Sequence, residues 1–410
     1  MDSLSQIVLG ASVQGAILGK YQGRKAYIYG AILGTIPDLD VILNYGDPVS
    51  NMTYHRGFSH SLFVLTALGL GGAWLISRYH QWRCIPLPYS DQRLALAMTL
   101  ALTTHPILDS FTVYGTQLFW PLQEPLQITP ISIASVFIID PLYTLPLLIA
   151  MIIGLIKGRK LPIFKKGWFA NCQRLAVGML VVSSGYLLLS LGLKYYAQGQ
   201  AEQTLAAAGI ENIVRIKTMP VLPTTLLWRT LAEDKQHRII ELRGSVLDKR
   251  LPEYRYLTKY KNSKALSTNL PQSSQPYATR LDWFSGDWTG YRTQTLIATN
   301  TIPKQSNTPS TEQLVVDDLR MVAGDTSFFS FVLATSENQK NISAKKNSSS
   351  PSDNPQWQAI IPIETPFVSI DDKPKPSRFN LIKQGFHRVI DESAMDADGG
   401  WELVERNSFD

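Results

Sequence analysis

Hydrophobic positions are distributed unevenly along the 410 residues. In the first 200, apolar stretches occupy 58–77, 94–108, 141–156 and 175–193, and two shorter ones rich in glycine and alanine occupy 4–19 and 26–37. A lone membrane-crossing helix needs about 20 apolar residues, with a lower limit near 17. Several of these stretches are at or below that limit. The pattern therefore predicts about five to six membrane segments, some of them tilted, packed or re-entrant. Gly10, Ala11, Gly15, Ala16 and Gly19, then Gly30, Ala31 and Gly34, suit close helix–helix approach in lipid. After residue 200 the period changes. Alternation over 212–217, 237–247, 292–299, 313–320, 327–334 and 356–363 predicts strands. The polar Ser/Asn-rich stretches 260–274 and 336–354 predict loops or disorder. The expected architecture is an α-helical membrane bundle, residues 1–196, followed by a β-rich α+β extramembrane domain, residues 197–410, with polar inserts near 260–274 and 336–354.

Charge sharpens this division. Residues 1–200 hold 14 Lys/Arg and 8 Asp/Glu, against 25 and 25 in the remainder, so the halves are built for different solvents. If all six apolar segments cross or return, one side collects Lys20, Arg24, Lys25, Arg78, Arg83, Arg93, Lys157, Arg159, Lys160, Lys165, Lys166 and Arg174. The other side holds Arg56 and Lys194. The basic side is expected in the cytoplasm, which puts residues 200–410 outside it, at the inner membrane of the cell. No Lys or Arg precedes the first apolar run, which argues against a cleaved signal peptide. Cys84 and Cys172 are too few for a disulfide framework. Neither a repeat nor a Gly-rich phosphate loop is visible, and the positive charge serves topology, so no nucleic acid is expected as a partner. The bilayer is.

Ionisable groups beside membrane helices are costly and tend to be functional. Here they cluster at one end of the expected bundle. Asp38 and Asp40 follow Pro37, His55 and His60 precede the third long segment, and His105 and Asp109 close the fourth. His105 and Asp109, four apart, share a helix face. His55 and His60 converge only if the chain loops through Arg56 and Gly57, and Asp38 and Asp40 only if it turns after Pro37. Imidazole with carboxylate suits Zn, with Mn or Fe as alternatives. The expected ligands are Asp38, Asp40, His60 and His105, with His55 or Asp109 as base or orienting group. Arg56 is either the holder of an anionic substrate group or a snorkelling interfacial residue. Asp140-Pro141 reads as a helix cap followed by proline at the first helical position. His80, His237 and His387 are given no site role, and Glu124 stands on the same side without support.

The opening Met1-Asp-Ser-Leu-Ser-Gln6, then Gly34-Thr-Ile-Pro-Asp-Leu-Asp40, His55-Arg-Gly-Phe-Ser-His-Ser61 and His105-Pro-Ile-Leu-Asp109 resemble the YdjM/YbcI-like family of membrane-bound, predicted metal-dependent hydrolases. Pro223-Thr-Thr-Leu-Leu-Trp-Arg229, Asp318-Leu-Arg-Met-Val322 and Phe328-Phe-Ser-Phe331 resemble motifs of its longer members. The resemblance implies an inner-membrane protein whose metal-dependent role maps onto Asp38, Asp40, His55, His60, His105 and Asp109. Many members carry Thr-His where this chain has Ser5-Gln6, so one further histidine is absent here. The family name includes LexA binding for some members, which fits poorly with a large domain outside the cytoplasm. The expected function is metal-dependent hydrolysis of an ester or phosphoester, lipid-linked, at the membrane interface. The alternative is a non-enzymatic anchor with a structural His/Asp metal site and a soluble domain that binds envelope components or a partner protein. Transport is weakened because the candidates all sit at one end.

Overall fold

The computed structural model describes residues 3–122, 128–158, 168–221, 224–296, 311–323, 326–337 and 357–364. Every apolar stretch of the first half lies in a helix or its entry turn. α1 (Ser3–Gln22) and α2 (Arg24–Thr35) form a tight antiparallel hairpin. A Cβ on Gly10 would collide with the Gly30 carbonyl, and one on Gly34 with the Gln6 carbonyl, so the two backbones touch through glycine. A 3-10 turn (Ile36–Ile42) and the short α3 (Pro48–Tyr54) lead to α4 (Leu62–Trp82) and α5 (Asp91–Ser110). α6 (Pro141–Lys157) and α7 (Trp168–Ala207) complete the bundle.

The bundle has an apolar interior that also takes in polar side chains, and it leaves large apolar side chains on its surface. Ser5, Gln6, Ser12, Gln14, Thr144, Ser183 and Ser190 are buried, while Leu68, Leu70 and Trp74 of α4 and Val181 and Leu188 of α7 face outward, Leu188 at 71% exposure. Among the described residues, α4 and α7 are long and apolar enough to cross a membrane by themselves, and α6 is a shorter apolar helix.

α7 is 40 residues long, about 60 Å at 1.5 Å per residue, twice the hydrocarbon thickness of a bilayer. Its last turns pack Ala201 and Leu205 onto Ala232, Ile240, Leu242 and Tyr254 of the second half. The boundary expected at 196/197 thus falls inside one unbroken helix.

The second half contains, among the described residues, two four-stranded antiparallel sheets and a two-stranded one. β1 (Ile213–Pro220), β2 (Leu227–Asp234), β3 (Ile239–Ser245) and β4 (Glu253–Tyr256) form a meander. β5 (Thr289–Leu296), β6 (Thr311–Asp318), β9 (Ser330–Glu337) and β10 (Gln358–Glu364) form the second sheet in the order β10-β9-β6-β5. β7 (Val322–Ala323) pairs with β8 (Thr326–Ser327).

Three expectations need correction or restriction. β2 and β4 were not visible as strands; β2 is buried at all eight positions, so it lacks the alternation that marks a half-exposed strand. The stretch 260–274, expected as loop or disorder, is folded. It holds the end of a 3-10 turn (Thr258–Tyr260) and α8 (Ser263–Thr268), and its last residue, Ser274, immediately precedes α9 (Gln275–Ser285). Tyr260, Leu270 and Ser274 are buried there, and the Ser274 hydroxyl donates to the Leu333 carbonyl. Most of 336–354, the end of the 292–299 strand, Glu124, His387 and Pro223 lie outside the described residues.

The halves share one core. Val49 and Met52 of α3, with Val113, Tyr114 and Ala134 from the segment between α5 and α6, cluster with Phe284, Leu319, Met321 and Phe331 of the β-rich half. Arg280 of α9 donates from Nε to Thr53 Oγ1 at 2.5 Å and lies over the Tyr54 ring. Trp283 Nε1 donates to the Ile128 carbonyl at 2.8 Å.

Candidate metal centre

Each arm of the site is placed by a local rule. Pro37 ends α2 and starts the 3-10 turn that carries Asp38 and Asp40. Arg56 takes a left-handed conformation, φ +65°, so the chain reverses at Arg56-Gly57 and enters a second 3-10 turn (Phe58–His60). Ser61 then caps α4 by accepting from Val64 N–H. His105 and Asp109 lie on one face of α5, one turn apart.

Four of these side chains converge. Asp38, His60, His105 and Asp109 each offer a donor atom, and the four atoms lie within 4.8 Å of one another. His60 Nε2 and His105 Nε2 are 3.4 and 3.3 Å from Asp38 Oδ1, and 3.4 and 3.6 Å from Asp109 Oδ2. His60, His105 and Asp109 are buried; Asp38 is the most open, its side chain 18% exposed.

Hydrogen bonding decides where the imidazole protons sit. His105 Nδ1 is 2.6 Å from the Gly34 carbonyl, which can only accept. The neutral ring therefore carries its proton on Nδ1 and a lone pair on Nε2. Ser59 donates its proton to Asp40 Oδ2 at 2.6 Å, so its oxygen accepts from His60 Nδ1 at 2.9 Å. His60 Nε2 is a lone pair too. Neither Nε2 has a hydrogen-bond partner among the described residues. Two lone pairs and two carboxylate oxygens thus face one point, and a divalent cation is the group whose chemistry fits that donor set.

The surroundings orient these donors. Gln6 Nε2 donates to Asp109 Oδ1 at 2.7 Å and so holds that carboxylate from behind. Arg56 forms an ion pair with Asp109, Nε to Oδ2 at 3.3 Å, and its guanidinium lies 4.7 Å from the centre of the Tyr114 ring. Asp40 stands outside the converging four. It accepts from the Arg56 N–H at 3.1 Å, from Ser59, and contacts His55 Nδ1 at 2.9 Å. Burial raises the Asp40 carboxyl, but the His55 imidazole beside it outweighs this and holds it below its ordinary range.

All seven site residues expected from the sequence therefore gather in one region, with Asp109 in the converging four and Asp40 bonded to His55. Arg56 is 5% exposed and turned to Asp109 and Tyr114 rather than to open solvent. Asp140 caps α6, accepting from Leu142 N–H, and receives the Tyr186 hydroxyl at 2.7 Å; it is not part of the cluster. The sequence reading missed Ser59, the Gly34 carbonyl and Tyr114. Ser59 lies inside the His55–Ser61 motif beside His60, which was the available signal. The other two act through backbone and packing that only the fold brings near.

Residues 1–201 match the model of a family described as YdjM inner membrane protein. Among curated proteins, the chain is similar to the inner membrane protein YbcI of Escherichia coli (strain K12), 33% identical over 92 residues, which are 22% of this chain and 49% of that relative. The chain thus spans about half the length of the curated relative it matches. No solved structure matches it.

Proposed function

Residues 1–201 belong to the YdjM inner membrane protein family, and from that membership and the buried His/Asp group we propose a multi-pass membrane hydrolase that uses a divalent metal to cleave an ester or phosphoester. In this reading α1, α2, α4, α5, α6 and α7 cross or re-enter the bilayer. The twelve basic residues assigned to one side by charge face the cytoplasm, and the metal centre and residues 197–410 lie on the other side.

The observation that carries the proposal is the convergence of two imidazole lone pairs with two carboxylates in a buried site. Asp38, His60, His105 and Asp109 hold the ion, which supplies Lewis-acid polarisation of the substrate oxygen. Asp40 orients His55, whose ring centre is 5.9 Å from that of His60, as an Asp–His pair for proton transfer. Arg56 offsets the charge of Asp109. Leu39, Val41, Ile42 and Leu43 leave an exposed apolar rim beside Asp38 and Asp40, which favours a lipid-linked substrate entering from the interface.

One observation favours a second reading. The cluster offers four protein donors, and a zinc ion held by four protein ligands, with no open position, would be structural. Zinc in this set would make the bundle an anchor; a six-coordinate ion such as Mn or Fe keeps positions for substrate.

The test is metal content and turnover of the detergent-purified chain. About one divalent ion per chain, lost in His60→Ala and His105→Ala, with phosphoester or lipid hydrolysis lost in Asp38→Asn, is the expected result. Bound metal with no turnover of any ester or phospholipid tried would instead establish the anchor. A reporter active only outside the cytoplasm, fused after Asp410, should be active.

A further inference from the structure

Away from the metal centre, the bundle contains a cavity of about 500 Å³, within the roughly 300–1,000 Å³ of small-ligand sites. Its floor is α1 and α5 (Gln14, Leu94, Met98), its walls are α2 (Lys25, Ile32, Leu33) and α4 (Ile76, His80), and the 86–89 loop closes its basic end. Ile32 and Ile76 are also exposed on the outer surface of the bundle, so the cavity opens sideways between α2 and α4, where the family's membrane location puts hydrocarbon.

Its polar groups are placed at particular depths. Gln14 is 2% exposed, lines the cavity, and its Oε1 has no hydrogen-bond partner among the described residues. Gln22 Oε1, nearer the rim, is likewise unpartnered, while Gln22 Nε2 donates to the Tyr89 hydroxyl at 2.8 Å. A buried acceptor without a donor is costly. Each therefore calls for an O–H or N–H from an occupant. The rim is cationic: Lys25 lines it, Arg93 bonds the hydroxyl of lining Tyr21, and His80 stands beside them. The lining contains no acidic residue among those described.

We propose that this cavity binds one anionic membrane lipid with a hydroxyl-bearing headgroup, its phosphate at the Lys25 rim and one acyl chain between α2 and α4. The apolar wall facing lipid selects a chain, the basic rim selects negative charge, and the two glutamine oxygens select a hydroxyl over a choline. Leu33 lines the cavity next to Gly34, whose carbonyl orients His105, so the bound lipid also braces the hairpin behind the metal centre. The site is independent of any hydrolytic activity.

The experiment uses the full-length chain in detergent, stripped of lipid and titrated with phosphatidylglycerol or phosphatidylcholine in mixed micelles, with melting temperature and native mass as readouts. Wild type should retain one phosphatidylglycerol and melt higher with it, with at least a fivefold weaker response to phosphatidylcholine. Lys25→Glu, at an exposed position, should weaken the phosphatidylglycerol response at least fivefold, and Met98→Trp should abolish one-to-one retention by filling the floor. Equal responses to the two lipids, or Lys25→Glu binding phosphatidylglycerol as wild type does, would overturn the proposal even if Met98→Trp fails to fold.

Discussion

Two groups of acids in the molecule are treated in opposite ways. In the β-rich half, Glu241 is ringed by three guanidiniums, with Arg255 Nε at 2.8 Å, Arg243 Nη2 at 3.1 Å and a short bond from Arg229 Nε. Asp317 likewise meets Arg292 Nε at 2.7 Å and the Tyr260 hydroxyl at 2.8 Å. Cations supplied by the chain itself meet these acids. In the bundle, Asp38 and Asp109 meet imidazoles whose protons are committed elsewhere, to Gly34 and Ser59, and a single arginine. Burying an acid is costly unless it is paired. The first cluster is paired from within and needs nothing more to be a structural element. The second is left with lone pairs converging on a point, an arrangement that could hold an external cation.

The sharpest way to break this contrast is to remove the acid from the structural cluster. Glu241→Ala removes the carboxylate that Arg229, Arg243 and Arg255 share and should cost about 3–5 kcal/mol, read as a drop in unfolding free energy with metal content unchanged. In the bundle the equivalent loss should depend on metal. Metal at 100 times its Kd should stabilise wild type by about 2.7 kcal/mol and Asp109→Asn by far less, measured as melting shifts on adding and chelating the ion. Ser59→Ala frees the Nδ1 proton of His60 from its acceptor and should weaken metal binding about 10–100-fold in a competition titration, with little change in the metal-free melting temperature.

The smallest effect is in acid. Burial raises the Glu241 carboxyl, but Arg243, Arg229 and Arg255 pull it below its ordinary value of 4.5. Its contribution to stability is therefore full above pH 4.5 and is lost as the pH falls through the depressed folded value. Glu241→Gln should be less stable than wild type at neutral pH and should show a flatter decline below pH 4.5 in denaturation across that range.

The sequence by itself determined which half is bundle and which is sheet, because the solvent of each element is written in its period and in its charge. The six apolar stretches became helices, and six alternating runs overlapped strands. It also determined the cast of the site, since histidines and acids in a charge-poor chain have few reasons to be there. Only the tertiary structure decided their parts. Asp38 and Asp40 are two residues apart, yet one faces His60 and His105 while the other bonds His55 and Ser59, because a 3-10 turn aims neighbouring side chains in different directions. The direction of each imidazole lone pair depends on a carbonyl 71 residues away and on a serine hydroxyl whose own proton goes to Asp40. β2 and β4 escaped for a related reason: a strand covered on both faces has no alternation to read, and its charges look like surface until the fold supplies their partners.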